Sequence, residues 1–303
     1  MIEQVVHLYD RFMVTTWPWV AGLGFQTIAG MLVAFALLER FFPAEKGQPW
    51  SAYFLNLRIT AIYVVASSVW GGFAGASIAW AGAWLGLGLI DLRFSAGGSL
   101  GLQVAAGFLS VVIADFFYYW FHRTQHTFPA LWAQHKVHHL DEHLNTSTAM
   151  RHHWLEELFR IPFLAIPIAV LFKLDPGPAG LFGLLFAAWG YFIHANLRLE
   201  LGPLTALLGG PQVHRIHHSR LEEHYDKNFA AFFPMWDILF GTYHRPRAGE
   251  FPPTGIEGER VDTAREAAVI PFRIWLRPVI RWLEARHAAV LGPLRNWLGV
   301  VKK

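Results

Sequence analysis

Histidines are concentrated in the middle of this chain, at spacings that suit metal binding. Of its 16 histidines, 14 lie between His122 and His244. Eight of them fall in three short motifs, HRTQH, HKVHH and HRIHH, which contain His122, His126, His135, His138, His139, His214, His217 and His218. On a helix, residues i, i+3 and i+4 share one face, so each motif can direct two or three imidazoles to a common point.

The number of imidazoles predicts two neighbouring metal ions. Imidazole nitrogen suits iron, zinc, copper and nickel, and one such ion takes about four to six ligands, which is fewer than eight. The chain has no cysteine, so thiolate metal sites, iron–sulfur clusters and cysteine nucleophiles are excluded. A zinc hydrolase is disfavoured because the HExxH motif, which supplies a general base beside the metal, is absent.

The composition predicts an integral membrane protein. Hydrophobic residues make up 54% of the 303 residues, and only 16% are Asp, Glu, Lys or Arg, against roughly 25% charged residues in soluble domains. A transmembrane helix needs about 20 mostly apolar residues. The candidate spans are residues 20–38, residues 52–89 as a span followed by a re-entrant or interfacial segment, residues 102–121, and a hairpin of residues 158–172 and 179–193.

The fold class expected is all-α, with about four transmembrane helices and a cytoplasmic helical cap that holds the histidine-rich dimetal centre. The positive-inside rule places the histidine motifs and the C-terminus in the cytoplasm. The N-terminal apolar run is interpreted as a retained anchor, because Met1–Tyr9 lacks the basic start of a cleavable signal peptide. Fifteen of the 25 Lys and Arg residues follow His194, which favours contact with anionic lipid headgroups over nucleic acid.

Residues 115–243 resemble the fatty acid hydroxylase superfamily of membrane di-iron oxygenases, which includes sterol desaturases, sterol methyl oxidases and alkylglycerol monooxygenases. The resemblance runs through DFFYYWFHRTQH, LWAQHKVHH, NTSTAMRHHWLEE, FIHAN, HRIHH and DKNFAAFFPMWDILFGTYHRP. It implies that the eight motif histidines are metal ligands and adds His194 of FIHAN as a ninth. Three regions are expected: N-terminal spans with a re-entrant or interfacial segment (1–100), a fatty acid hydroxylase-like catalytic domain (101–250) and a basic amphipathic tail (251–303).

One ligand expected from the family is missing. Some members carry a further histidine four residues before His194, where this chain has Gly190. Either the site has an open position or another residue replaces that ligand. The candidate is His153, because RHHWLEE resembles the family segment Arg-x-His-Pro-x-Glu, with Trp154 in place of the proline. The two interpretations of His153, as a ligand and as a support for the ligands, are equally open.

Two other polar residues are candidates for the catalytic site. Asp115 lies inside the third span, two helical turns before His122, and ionisable groups within spans are usually functional. We expect Asp115 to accept a hydrogen bond from a ligand imidazole; the alternative is a structural, water-lined group. Asn196 either holds a metal-bound water or caps its helix. Asp226 and Asp237 are weaker candidates for contacts with the ligands.

The remaining histidines are less informative. His152 is expected to be solvated, whereas substrate-pocket and surface roles both stay open for His143, His224 and His244.

The amphipathic stretch at residues 263–287 either lies in the headgroup plane or packs on the catalytic domain.

The function that follows is O2-dependent hydroxylation or desaturation of a lipid by two iron ions. Zinc has no redox chemistry, although it could replace iron in the purified protein. The substrate would be a sterol, fatty-acyl or alkyl-glycerol lipid. Electrons would come from a partner such as a ferredoxin or a cytochrome b5-like protein, since the chain carries no flavin, haem or dinucleotide motif. The alternative is a non-catalytic membrane metal-binding or transport protein, although a transporter would place its ionisable residues near the membrane midplane.

Overall fold

The computed structural model describes residues 17–91, 98–173 and 176–286, and most of them are helical. In chain order the elements are α1 (Trp17–Phe41), α2 (Trp50–Leu85), β1 (Ile90–Asp91), α3 (Leu100–Thr127), α4 (Pro129–His139), α5 (Glu156–Arg160), α6 (Ile166–Leu171), β2 (Phe172–Lys173), α7 (Pro176–His194), α8 (Pro211–His217), α9 (Met235–Leu239) and α10 (Ala264–Arg286). Short 3₁₀ turns precede α5, α8 and α9. Met1–Tyr9, on which the prediction of a retained anchor rests, lies outside the described residues. Residues 174–175, in the turn of the predicted hairpin, also lie outside them.

Two helices have the length and composition of membrane spans. Within α2 and α3, the segments Trp50–Gly82 and Gly101–Thr127 are long and apolar enough to cross a bilayer. Large apolar side chains on both helices face outward, among them Val65 and Phe73 on α2 and Val104 and Phe108 on α3. Of the predicted spans, these two meet the criteria within the described residues.

Residues 52–89, predicted as a span followed by a re-entrant or interfacial segment, contain no re-entrant turn before Gly86. Helix α2 is continuous over 36 residues, which corresponds to a length of about 54 Å at 1.5 Å per residue. Its glycines weaken helix propensity without interrupting the hydrogen bonds, and the segment contains no proline to interrupt them. The helix ends at Gly86, which adopts the left-handed conformation with φ +64° and serves as a C-cap.

The predicted first arm of the hairpin, residues 158–172, is irregular. Between α5 and α6, residues Ile161–Ala165 form a single π-helical turn. Pro162 and Pro167 lack the amide hydrogen needed for regular α-helical bonding, which accounts for the interruption. The arm ends in β2, which pairs in parallel with β1.

The C-terminal helix α10 packs on the histidine-bearing domain. Ala267 joins a buried cluster with Ile59 of α2 and Val137 of α4. The indole nitrogen of Trp275 also donates to the carbonyl of Ala130, at 2.8 Å. Of the two alternatives left open by the sequence, these contacts favour packing on the protein, while outward residues such as Leu276 and Val279 stay exposed.

Candidate metal centre

Two proline-initiated helices follow the spans and position most of the histidines. Helix α3 continues beyond its apolar part through the first motif, so His122 and His126 lie in its last turns. Pro129 cannot extend α3, but it is well suited to the first position of a new helix, α4. Helix α4 then carries the HKVHH motif at its C-terminal end.

The second HxxHH motif lies on α8, whose position depends on a close backbone contact. Pro211 occupies the first turn of this short helix. Just before it, the amide of Gly209 donates to the carbonyl of Phe232 at 2.7 Å. A Cβ atom at Gly209 would lie 2.9 Å from the carbonyl oxygen of Ala231, so only glycine permits this approach.

The imidazoles converge in two groups. The first contains His122, His126, His135, His139 and His217, and the second contains His138, His194, His214 and His218. Within each group, the possible ligand atoms lie within 4.8 Å of one another. All eight motif histidines and His194 therefore fall into one group or the other.

Each HxxHH motif is divided between the groups. His135 and His139 belong to the first group, whereas His138 belongs to the second; His214 and His218 share a group that excludes His217. Helical geometry explains the division, because successive residues are about 100° apart and residues i+3 and i+4 therefore diverge from residue i in opposite directions. Each HxxHH motif therefore directs two imidazoles to one group, which agrees with the prediction of two or three per common point.

The spacing of nitrogen atoms suits shared metal ions. His194 Nε2 lies 3.0 Å from Nε2 of His138 and 2.9 Å from that of His214. In the first group, the Nε2 atoms of His126 and His139 are 3.2 Å apart. Two ligands at metal–nitrogen distances of 2.0–2.1 Å lie about 2.8–3.0 Å apart in octahedral geometry and about 3.3–3.4 Å apart in tetrahedral geometry.

The two groups adjoin. The rings of His139, from the first group, and His218, from the second, are stacked with centroids 4.3 Å apart. Metal ions held by the two groups would therefore be neighbours, as the sequence predicts for a dimetal centre.

Backbone carbonyls orient several ligand candidates. The Nδ1 atoms of His122, His217 and His194 lie 2.7–2.8 Å from the carbonyl oxygens of Phe229, Lys227 and Gly190, respectively. An Nδ1–H donated to a carbonyl leaves Nε2 as the atom with a free lone pair. The Nε2 atoms of His122 and His217 are buried and make no hydrogen bond to any described residue, which fits a metal ligand.

The protein environment keeps these imidazoles neutral. Burial, followed by the proximity of other histidines, lowers the pKa well below its usual value for His135, His138, His139, His214 and His218. Burial also lowers the pKa of His194 to about 4. Because a metal binds the unprotonated imidazole, these shifts favour metal binding at neutral pH.

A family comparison agrees with this geometry. Residues 107–242 match the family model "Fatty acid hydroxylase". This segment is a fatty acid hydroxylase domain. It contains both histidine groups in full, so the resemblance of residues 115–243 to this superfamily is confirmed.

Curated relatives of the hydroxylase domain are lipid enzymes. The domain is 39% identical to alkylglycerol monooxygenase of Danio rerio over 136 residues, which cover 45% of this chain and 30% of the relative. The human alkylglycerol monooxygenase is 38% identical over 130 residues, covering 43% and 28%. Ornithine lipid hydroxylase OlsE of Rhizobium tropici is 34% identical over 152 residues, covering 50% and 45%. The chain thus matches less than half of the length of each relative, and no solved structure matches it.

Asp115 bonds backbone amides rather than the ligand imidazole that was predicted as its partner. Its carboxylate accepts the backbone amides of Ala231, Phe232 and Phe233 at 2.8–3.0 Å, and it is fully buried. These bonds fix the segment that supplies the Phe229 carbonyl to His122. The predicted direct bond to an imidazole is therefore corrected to a contact through the backbone.

The two weaker carboxylate candidates also lie beside the ligands. Asp237 accepts the amides of Phe229 and Ala230 at 2.8 and 2.9 Å, so it supports the same segment as Asp115. Asp226 Oδ1 lies 3.5 Å from Nδ1 of His126. Asp226, rather than Asp115 as predicted, therefore lies directly beside a ligand imidazole.

His153 lies outside both groups. Its Nε2 lies 3.0 Å from the carbonyl of Ala268, and its Nδ1 accepts the amide of Leu155 at 3.2 Å. With both ring nitrogens engaged by the backbone, the interpretation of His153 as a ligand is corrected to a contact between the hydroxylase domain and α10.

His152, expected in solvent, is instead buried with its ring stacked 4.8 Å from that of His138.

Asn196 is used structurally. Its side-chain oxygen accepts the amide of Glu45 at 2.8 Å, and its amide nitrogen donates to the carbonyl of the same residue at 2.8 Å. This pairing ties the end of α7 to the loop after α1. Both side-chain groups of Asn196 are thus occupied, which corrects the prediction that it holds a metal-bound water.

Several buried polar residues that support the site were not singled out from the sequence. Glu39 accepts the amides of Thr146 and Asn196 at 2.7 and 2.6 Å. Arg151 donates to the Val137 carbonyl at 2.9 Å, within the HKVHH motif, and to Asn56 at 2.6 Å. A signal was available for Asn56, since an amide inside an otherwise apolar helix needs a partner.

Proposed function

We propose that this protein is a membrane-bound oxygenase that hydroxylates a lipid, with its nine grouped histidines binding two iron ions. The observation that carries the proposal is the pair of adjoining all-histidine groups within a fatty acid hydroxylase domain. The curated relatives named above are lipid monooxygenases and hydroxylases, which supports a lipid as the substrate here.

Iron is the metal that fits both the ligands and the reaction. Imidazole binds iron well, and zinc, which could replace iron during purification, is redox-inactive. When bound, the two irons would supply electrons to O2 and the oxidising power to attack an unactivated C–H bond. In a hydroxylation, the C–H bond is replaced by C–OH, and one O2, two electrons and two protons yield the alcohol and one water.

The chain itself holds the imidazoles in place and limits access by water. The backbone carbonyls of Phe229 and Lys227 fix the tautomers of His122 and His217. Eight of the nine grouped histidines are buried, and the ninth, His126, is partly buried. Such a site limits the loss of oxidising equivalents to solvent.

A lipid would reach the centre from the bilayer. The outward apolar faces of α2 and α3 suit contact with lipid, and α3 leads from its apolar segment directly to His122 and His126. We place the histidine groups at the cytoplasmic end of these helices, following the positive-inside rule. The substrate class is an acyl, sterol or alkyl-glycerol lipid.

Electrons would arrive from a separate donor. A ferredoxin or a cytochrome b5-like protein would dock on the exposed basic residues at the proposed cytoplasmic face, including Arg245 and Arg247. Charge complementarity of this kind accelerates association with an acidic partner.

The proposal is tested with the full-length, detergent-purified, iron-loaded protein, a reduced donor and ¹⁸O2. Lipid extracts of cells with and without the protein first identify candidate substrates. We expect one ¹⁸O atom in the product, and loss of product in His138→Ala but retention in His143→Gln, which alters a histidine outside both groups. A product that has lost two hydrogens without gaining ¹⁸O would indicate desaturation instead. Metal binding without turnover of any lipid that differs between the two cell types would support the non-catalytic metal-binding alternative.

A further inference from the structure

A third cluster of ligand-type side chains lies outside the two histidine groups. It consists of His224, His244 and Glu250, whose possible ligand atoms all lie within 4.8 Å of one another. His224 belongs to a short turn after α8, whereas the other two residues flank a loop beyond α9. None of the three belongs to the histidine motifs, and the proposed function does not use them.

His224 provides an unpartnered group directed into this cluster. Its side chain is 1% exposed, and neither of its ring nitrogens makes a hydrogen bond within the described part of the chain. Nε2 nevertheless lies 3.3 Å from Oε1 of Glu250. Burying a polar atom without a partner costs about 1–3 kcal/mol, so such an atom calls for a ligand.

The distances around Glu250 suit a shared cation. Nε2 of His244 lies 3.4 Å from both carboxylate oxygens, and the rings of His224 and His244 are 4.8 Å apart. In a tetrahedral site with bonds of 2.0–2.2 Å, two ligand atoms lie about 3.3–3.6 Å apart. The separations between each imidazole and the carboxylate therefore match those expected around one metal ion.

Neighbouring backbone groups hold two of the ligands in position. The amide of Arg247 donates to Oε2 of Glu250 at 2.7 Å, which leaves Oε1 directed toward both histidines. The side chain of Asn228 pairs with the backbone of His244, accepting its amide at 2.9 Å and donating to its carbonyl at 3.2 Å. Such supports orient metal ligands in known sites.

Two arrangements are compatible with these distances. Each neutral imidazole could donate its own Nε2–H to the Glu250 carboxylate, or a metal ion could lie between the three side chains. A divalent cation accepts a lone pair from both imidazoles and from the carboxylate at once. Two nitrogens and one oxygen form a borderline ligand set that suits Zn²⁺ and related transition ions.

We propose that His224, His244 and Glu250 form a third, mononuclear metal site for Zn²⁺ or a similar divalent transition ion. The side chains of His244 and Glu250 are partly exposed, at 17% and 13%, so a fourth position is accessible to water. The site would cross-link the turn after α8 to the loop beyond α9. Its existence does not depend on whether the histidine groups bind iron or catalyse an oxidation.

The test is a metal count on the full-length, detergent-purified protein after dialysis against Zn²⁺ and removal of the free ion. We expect the wild type to bind one metal ion per chain more than Glu250→Gln and His244→Gln. The variant His143→Gln, which alters a histidine outside all three clusters, should match the wild type. Replacement of zinc by Co²⁺ should give a visible absorption of four-coordinate cobalt that is weaker in both site variants, because they lose the contribution of one ion per chain.

The proposal fails if the wild type and both site variants bind equal amounts of metal. It also fails if the wild type holds only the metal that His135→Ala and His138→Ala together remove. Metal that remains after those two substitutions but is lost with Glu250→Gln supports the third site even if the iron proposal fails.

Discussion

The Nδ1 atom of His122 lies 2.8 Å from the carbonyl oxygen of Phe229. That carbonyl belongs to a backbone segment whose amides are accepted by two buried carboxylates, those of Asp115 and Asp237. The orientation of a ligand imidazole thus depends on carboxylates that do not contact it. The first prediction concerns this relay.

Asp115→Asn should weaken metal binding without removing a ligand. The NH₂ group of the asparagine side chain would face at least one of the three backbone N–H groups that now donate to Asp115. Because two donors cannot bond each other, the segment carrying Phe229 should loosen. We expect a loss of roughly 1–3 kcal/mol in the free energy of unfolding, and iron affinity reduced about 10–100-fold, as for other groups that orient ligands. Iron retention against a chelator and thermal unfolding measure the two effects. Ser110→Ala is the control, because among the described residues that hydroxyl bonds only the Ala106 carbonyl of its own helix. Equal iron retention in both variants would contradict the relay.

Asp226 provides a second, direct test of support for a ligand. Its carboxylate lies 3.5 Å from His126 Nδ1, and its backbone has φ +57°, a conformation that Asn tolerates well. Asp226→Asn should therefore keep the turn but lower iron affinity by about tenfold. Metal competition assays measure the change, with the exposed Glu223→Gln as the control. The role assigned to Asp226 would be wrong if both variants retained wild-type affinity.

Arg151 is predicted to fix α4, which carries three ligand candidates. The buried guanidinium bonds both the Val137 carbonyl and Asn56. Lysine has no planar fork and cannot reproduce both bonds, so Arg151→Lys should destabilise the protein by about 1–3 kcal/mol. The exposed Arg220→Lys should leave the unfolding temperature almost unchanged. A similar unfolding temperature for the two variants would argue against this role.

Charge reversal should identify the docking face of the electron donor. Arg245→Glu together with Arg247→Glu should raise the KM for an acidic donor, and the effect should diminish at high salt. The control is Lys173→Glu, an exposed residue just before the start of α7, whose opposite end carries His194. Donor-coupled turnover that is unchanged in the double variant would exclude this patch.

The ligand set was largely predictable from the sequence because helix periodicity fixes where the histidines of each motif can point. The eight motif histidines and His194 all fall into the two groups. Helix geometry separates residue i+3 from residues i and i+4 within each motif, but which histidines of different motifs meet in one group depends on how α4 and α8 face each other, and this needed the structure.

The supporting residues were harder to predict because their partners are backbone atoms distant in the chain. Asp115 bonds amides 116–118 positions away, and Asn196 pairs with Glu45 across 151 positions. Spacing in the sequence carries no information on such contacts. The same reason accounts for His153, whose ring meets Ala268 of α10. Residues 52–89 were divided into two segments because they are too long for one span, whereas α2 continues without a break to Leu85.

The iron content of the full-length protein, purified in detergent from iron-replete cells, tests the central claim most directly. Elemental analysis should find about two irons per chain, with a marked fall when His135 and His138 are replaced by Ala and no fall in His143→Gln. If zinc occupies the site, reconstitution with iron should restore the same stoichiometry and the same dependence on these histidines. Substoichiometric iron that is insensitive to substitution of His135 and His138, before and after reconstitution, would contradict a di-iron centre.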